Sequence, residues 1–146
     1  MCTLPAMPVR DFRVRPLEVL VVDDDRTFGE SLALFLSDDE RITVSDIACD
    51  LGTALDATRT HHFDLALIDV RLETQSGFQV VEALREQHPE LATLMMSGLD
   101  KAEIESQALA CGADGVLQKT ELARLGQEAV LDAYLAGRNC AGDRAA

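Results

Sequence analysis

Four carboxylates, one hydroxyl and one lysine carry the chemical interest of this chain. Asp23 and Asp24 follow the apolar run VLVV together with Asp25; Asp69 closes a second run, DLALI; Ser97 closes a third, LATLMM; and Lys119 follows GVLQ. Carboxylates crowded together repel one another, and proton uptake or a cation relieves them. Two carboxylates, a backbone carbonyl and water suit the octahedral, water-retaining preference of Mg²⁺ better than a calcium cage, and the D-x-[DN]-x-[DN]-G calcium loop is absent. Only Lys101 and Lys119 among the 13 basic residues are lysine. A flexible ammonium of this kind can pair with a carboxylate or with a transferred phosphoryl group.

The elements that must position these groups are short apolar runs alternating with helix-period segments. Strands are predicted over Glu18–Asp23, Ile42–Ile47, Asp64–Asp69, Leu91–Ser97 and Gly115–Gln118. The first and third are nearly continuous apolar runs ending in carboxylates, which fits strands buried on both faces of a parallel sheet. Helical stripes follow: Phe28, Leu32, Phe35 and Leu36; Leu51, Leu55 and Thr58; Phe78, Val81, Ala83 and Leu84, stopped before Pro89. Ile104, Ala108 and Leu109 mark a fourth helix ending at Cys111-Gly112, and Leu122, Leu125, Ala129 and Leu135 a fifth ending near Gly137. Five strand-helix units in strict alternation predict an α/β fold, an open parallel sheet with right-handed crossovers; if it is doubly wound in the flavodoxin-like order 2-1-3-4-5, the first and third strands are neighbours at the switch point. Ligands of such sheets bind at the carboxyl ends of the strands where the order reverses, so Asp24 and Asp69 should converge.

Each residue alone has a plainer explanation. Asp25 or Thr27 can cap the first helix, Asp69 can be a strand-end turn residue, Ser97 a loop residue and Lys119 a solvated charge. Cys49, Cys111, Met95 and Met96 read as packing residues. His61, His62 and His88 sit at predicted helix C-termini, where the dipole favours them. The functional reading rests on the conjunction of strand ends.

Composition bounds the rest. A chain of 146 residues is long enough for one domain with a real core, and 47% hydrophobic with 27% charged residues is a globular balance. The formal net charge is −13, and residues 18–137 hold 24 acidic against eight basic residues. A polyphosphate backbone would be repelled, so direct nucleic-acid binding by this domain is disfavoured. Cys2, Cys49, Cys111 and Cys140 form no C-x-x-C pair, as expected for reduced thiols of a cytoplasmic protein. No stretch has the length of a spanning helix or the form of a signal peptide, so no membrane role is expected. Residues 1–17 are expected to be a flexible extension, 18–137 the domain, and 138–146 a frayed tail.

Taken in order, EVLVVDDD, LALIDVRLETQSG, LMMSG and GADGVLQK closely resemble the receiver domain of two-component response regulators over residues 18–137. The resemblance implies that Asp69 is the phospho-acceptor and that Asp23 and Asp24 form the acidic pair. It further implies that Mg²⁺ is bound by Asp24, Asp69 and the backbone carbonyl of Arg71, with Asp23 acting through water. Ser97 stands at the switch hydroxyl position and Lys119 at the family's lysine. The phosphoryl donor would be a phosphohistidine on a sensor histidine kinase or a phosphotransfer protein. The surface of the fourth helix, fifth strand and fifth helix would contact a downstream protein partner or a second copy. Arg71 and Leu99 hold positions that tune dephosphorylation in the family.

Three departures stand out. Leu72-Glu73 replaces the usual Met-Pro pair, although Gly77 keeps its place; Thr120 follows Lys119 where many members have proline, so no cis bond is expected there. Val116 replaces the aromatic of the fifth strand whose rotation usually reports the hydroxyl's movement, so switching by an aromatic flip is not expected. Fewer than ten residues follow the predicted last helix, which fits a single-domain regulator acting by protein contact or an excised receiver. Two other readings compete. A pseudo-receiver would keep the fold without a phosphorylation cycle. A haloacid-dehalogenase-type phosphohydrolase would use Asp23-Asp24-Asp25-Arg26-Thr27 as its D-x-D-x-T, with Asp23 as nucleophile and Asp25 as acid/base, and would leave Asp69 without a role.

Overall fold

Parallel strands need crossovers, and each apolar run here is followed by a segment of helical period long enough to supply one. A computed structural model of the chain describes residues 11–73, 75–98 and 101–145, with the side chains of 139–145 excepted. The strands are β1 (Leu17–Val22), β2 (Ile42–Ala48), β3 (Leu65–Asp69), β4 (Ala92–Ser97) and β5 (Gly115–Gln118). The helices are α1 (Arg26–Ser37), α2 (Leu51–Thr60), α3 (Gly77–Gln87), α4 (Lys101–Cys111), α5 (Lys119–Leu125) and α6 (Gln127–Ala145). All strand pairs are parallel, in the order β2-β1-β3-β4-β5. This is the doubly wound, flavodoxin-like sheet expected from the sequence.

Period-two alternation divides each buried strand between two cores. Val19, Val21, Leu65, Leu67, Leu94, Met96 and Leu117 face Leu32 and Leu36 of α1 and Val130, Leu131 and Tyr134 of α6. Leu20, Val22, Ala66, Ile68, Met95 and Val116 face Ala54 and Ala57 of α2, Val80, Val81 and Leu84 of α3, and Ile104 and Ala108 of α4. Because β1 and β3 are covered on both sides, their ends are the fixed points from which the site is built.

Several expectations need correction. The predicted fifth helix is two: α5 ends at Gly126, whose φ of 57° lies in the left-handed region. Leu125 is exposed at the end of α5, and the break resets the helical phase, so Leu135 is exposed while Val130, Leu131 and Tyr134 are buried. Helix α6 runs through the segment expected to be frayed, to Ala145. Gly126 also lies under the ring of Phe35, 2.9 Å from a hypothetical Cβ. Gly126→Ala is therefore expected to cost about 2 kcal/mol in urea unfolding, from strain and steric crowding together.

Phe12, assigned above to a flexible extension, is buried and packs edge-on against Tyr134, with ring centroids 6.1 Å apart. Helix α2 buries Ala54 and Ala57, and Leu51, Leu55 and Thr58 are only partly covered. Leu109 is exposed on α4, and Phe35 is largely so on α1. Cys49 is exposed rather than packed, because it lies at the rim between β2 and α2. Cys111 is half-buried, and burial raises its thiol pKa; Met95 and Met96 are fully buried. His61 and His88 are the C-cap residues of α2 and α3. Leu99 lies outside the described residues, as do Cys2 and the side chain of Cys140.

Candidate functional site

The strand order reverses between β1 and β3, so their following loops leave in opposite directions and open a crevice at the carboxyl edge. Asp23 follows β1 directly and is 1% exposed. Asp24 is half-buried, and Asp69, the last residue of β3, is buried. One carboxylate oxygen from each of Asp23, Asp24 and Asp69 lies within 4.8 Å of the others. Among the described residues this is the one cluster of its kind.

Lys119 enters from the carboxyl end of β5, on the same edge. Glu121 accepts a hydrogen bond from the Gln118 N–H at 3.3 Å, which helps start α5 at Lys119. The Lys119 ammonium then donates to Asp69 Oδ2 at 3.0 Å and stands 3.9 Å from Asp23 Oδ2. Its Nζ also lies 4.3 Å from the centroid of the Phe28 ring. Ser97, buried at the end of β4, lines the same cavity of about 340 Å³ with Asp69, Val70, Arg71, Gly98 and Lys119. Val116, behind it, is 3% exposed and sits opposite Met95 in the β4–β5 ladder.

Local backbone geometry aims the carboxylates. Asp69 Oδ1 accepts the Arg71 N–H at 3.0 Å, and Asp23 Oδ1 accepts the Asp25 N–H at 2.9 Å. Asp25 caps α1, accepting the Phe28 N–H at 3.1 Å, as one of the plain readings expected. Asp24 Oδ2 accepts the Glu73 N–H at 2.8 Å, so the β3–α3 loop leans over the acidic pair. Arg71 and Ser76 form an antiparallel bridge in that loop, and the Lys119–Thr120 peptide bond is trans.

Asp23 Oδ2 is buried without a hydrogen-bond partner. Burial, opposed by the Asp25 N–H and reinforced by the charge of Asp69, raises the Asp23 carboxyl from 3.8 to about 6. A buried, unsatisfied carboxylate oxygen beside two further carboxylates is what a hard divalent cation relieves, so these residues fit Mg²⁺. Two features escaped the sequence reading. Phe28 was assigned only to packing, although an aromatic one turn beyond an Asp-Asp pair reaches this edge. The Glu73 contact depends on loop shape and has no sequence signal.

Residues 19–130 match the family model described as the response regulator receiver domain. This chain belongs to that family. It is 34% identical over 116 residues to the probable transcriptional regulatory protein NarL of Mycobacterium tuberculosis, covering 80% of this chain and 54% of that protein. It is also 34% identical over 110 residues to a protein-glutamate methylesterase/protein-glutamine glutaminase of Anaeromyxobacter dehalogenans, covering 74% of this chain and 30% of that one. The chain thus spans about half or less of these curated relatives. Among solved structures it resembles the signal receiver domain of the putative NarL response regulator from M. tuberculosis, at 34% identity and TM-score 0.72, covering 82% and 96% of the two chains. A response regulator from Burkholderia pseudomallei with a phosphorylated aspartic acid, calcium ion and citrate matches at 26% identity and TM-score 0.71, covering 87% and 72%. The chain is therefore a receiver domain of a two-component response regulator, which is a signalling domain. No helix among the described residues is long and apolar enough to cross a membrane.

Proposed function

We propose that this receiver accepts a phosphoryl group on Asp69 and passes the resulting conformational signal to a protein partner. The observation that carries the reading is the Lys119–Asp69 pair, 3.0 Å apart, beside the three clustered carboxylates. An Asp69 carboxylate oxygen attacks the donor phosphorus, the acyl-phosphate bond forms, and the bond to the donor's leaving group breaks with its electron pair. Lys119 stands where it offsets the charge of the nucleophile and then of the phosphoryl oxygens. Ser97 lines the cavity into which that group would project, and there its hydroxyl can donate to a phosphoryl oxygen.

Mg²⁺ would be held by Asp24, Asp69 and the Arg71 backbone carbonyl, with Asp23 acting through water. When bound, it supplies charge neutralisation for the transferring phosphoryl group. The phosphorylated aspartate and cation of the Burkholderia relative support both assignments. The donor is a sensor histidine kinase or phosphotransfer protein, and the downstream contact uses α4, β5 and the α5–α6 segment, in a cytoplasmic setting. With Val116 in place of an aromatic, movement of Ser97 is transmitted through the packed β4–β5 pair without a ring to rotate.

Intact mass after incubation with acetyl phosphate and Mg²⁺ tests this. One added phosphoryl group is expected on the parent, and none on Asp69→Asn or without Mg²⁺. A folded parent that binds Mg²⁺ and takes no adduct would overturn the proposal and leave a pseudo-receiver. Phosphate release from an aryl phosphate that depends on Asp25 rather than Asp69 would point to the phosphohydrolase.

A further inference from the structure

The ammonium at this site has a neighbour that the transfer chemistry above does not use. The Phe28 ring centroid lies 4.3 Å from Lys119 Nζ, well within the range at which a ring face attracts a cation. We infer that Phe28 is a positioning residue for Lys119, holding the ammonium at the phosphoryl site before and after transfer. The inference rests on the phospho-acceptor reading of Asp69.

Lys119 needs such a device. Its side chain is 31% exposed, and a lysine carries a flexible four-carbon stem whose head is strongly hydrated. Among the described residues its one short partner in the unphosphorylated protein is Asp69 Oδ2, since 3.9 Å to Asp23 Oδ2 is too long for a hydrogen bond. Phosphorylation converts an Asp69 oxygen into an acyl phosphate, so that pair must be remade onto the phosphoryl group. The ring contact involves no atom of Asp69. It can therefore keep the ammonium in place while its anionic partner changes.

The ring is itself held by the acidic run. Asp23 Oδ1 accepts the Asp25 N–H, Asp25 Oδ1 accepts the Phe28 N–H, and the Phe28 side chain packs on the α1–α6 side of the core. Asp23, one member of the acidic pair, thus helps through Asp25 to fix the start of α1, from which the ring projects. A simple packing role for Phe28 predicts different behaviour. Loosening the α1 N-terminus would disturb Asp23 and Asp24 and weaken Mg²⁺ binding along with transfer, whereas loss of the ring face alone would slow transfer and spare the metal.

The experiment compares the parent with Phe28→Leu and Phe28→Tyr in the full chain. It reads the rate of labelling by acetyl phosphate, the Mg²⁺ Kd by calorimetry, and the proton shifts of the lysine Cε groups by NMR. With only two lysines in the chain, the Lys119 signal is readily assigned. The Lys119 Cε protons should be ring-shifted in the parent and in Phe28→Tyr, and should return to ordinary values in Phe28→Leu. Labelling of Phe28→Leu should slow about fivefold at an unchanged Mg²⁺ Kd, and Phe28→Tyr should recover the parental rate within about twofold. Parental labelling by Phe28→Leu would overturn the inference. So would equal losses of rate and Mg²⁺ affinity that tyrosine does not rescue. Absence of any adduct on a parent that still shows the ring shift would remove the underlying reading, and the positioning role with it, while leaving the contact itself established.

Discussion

Exchanging Asp23 for asparagine is expected to stabilise the metal-free protein by about 2 kcal/mol and, in the same variant, to weaken Mg²⁺ binding at least about tenfold. Both effects have one origin. Asp23 is 1% exposed, its Oδ2 has no hydrogen-bond partner, and Asp69 crowds it. At neutral pH the ionised form is therefore a cost that folding must meet, and the amide removes the charge while keeping the shape and an acceptor for the Asp25 N–H. The sign against pH follows from the raised carboxyl. Its folded value of about 6 lies above the ordinary 3.8, so its stabilising contribution is complete below 3.8 and is lost as pH rises through 6. Urea unfolding in EDTA should then show the stability gap between Asp23→Asn and the parent at pH 7.5 shrinking towards pH 5. A gap of the same size at both values, or a variant less stable than the parent at pH 7.5, would contradict this account.

The same placement of charge at buried strand ends makes the site legible in the sequence. A single aspartate at the end of a buried run can be a turn residue, but VLVV and LALI both end in aspartate, LATLMM ends in Ser97 and GVLQ leads into Lys119, and that conjunction marks the site. Alternation gives a parallel sheet with crossovers, and in the order β2-β1-β3-β4-β5 the ends of β1 and β3 are neighbours, which brings Asp23, Asp24 and Asp69 together. What could not be read depends on close approach rather than periodicity. Helix α2 meets the sheet through Ala54 and Ala57 because small side chains let it sit closer, so its larger Leu51 and Leu55 fall to the margin. One glycine at Gly126 shifts the phase of everything after it, turning Leu135 outward and Tyr134 inward onto Phe12. The contacts of Phe28 with Lys119 and of Glu73 with Asp24 join residues far apart in the chain, with no repeating pattern to announce them.

Close approach also sets the second large effect, at Gly77. Its φ is not in the left-handed region, so conformational freedom does not explain the glycine. A Cβ there would stand 2.1 Å from the carbonyl oxygen of Asp69, 2.9 Å from its carbonyl carbon and 3.0 Å from Met95 Cε. The Met95 methyl can move, but the carbonyl belongs to β3, and the Gly77 N–H donates to the Val70 carbonyl beside it at 2.8 Å. The first turn of α3 is thus laid directly on the backbone of the residue that bears Asp69. Gly77→Ala is expected to cost about 3 kcal/mol or more in urea unfolding, at the upper end for overpacking because backbone rather than a side chain must yield. Gly98→Ala, where nothing lies within 4 Å of the added carbon, should change stability by less than about 0.5 kcal/mol. Relief of the Gly77 clash requires Asp69 and the loop to Ser76 to shift, so Mg²⁺ affinity should fall in whatever fraction remains folded. A Gly77→Ala protein with the parental urea midpoint would show that α3 can slide without strain, and that the helix does not fix the position of Asp69.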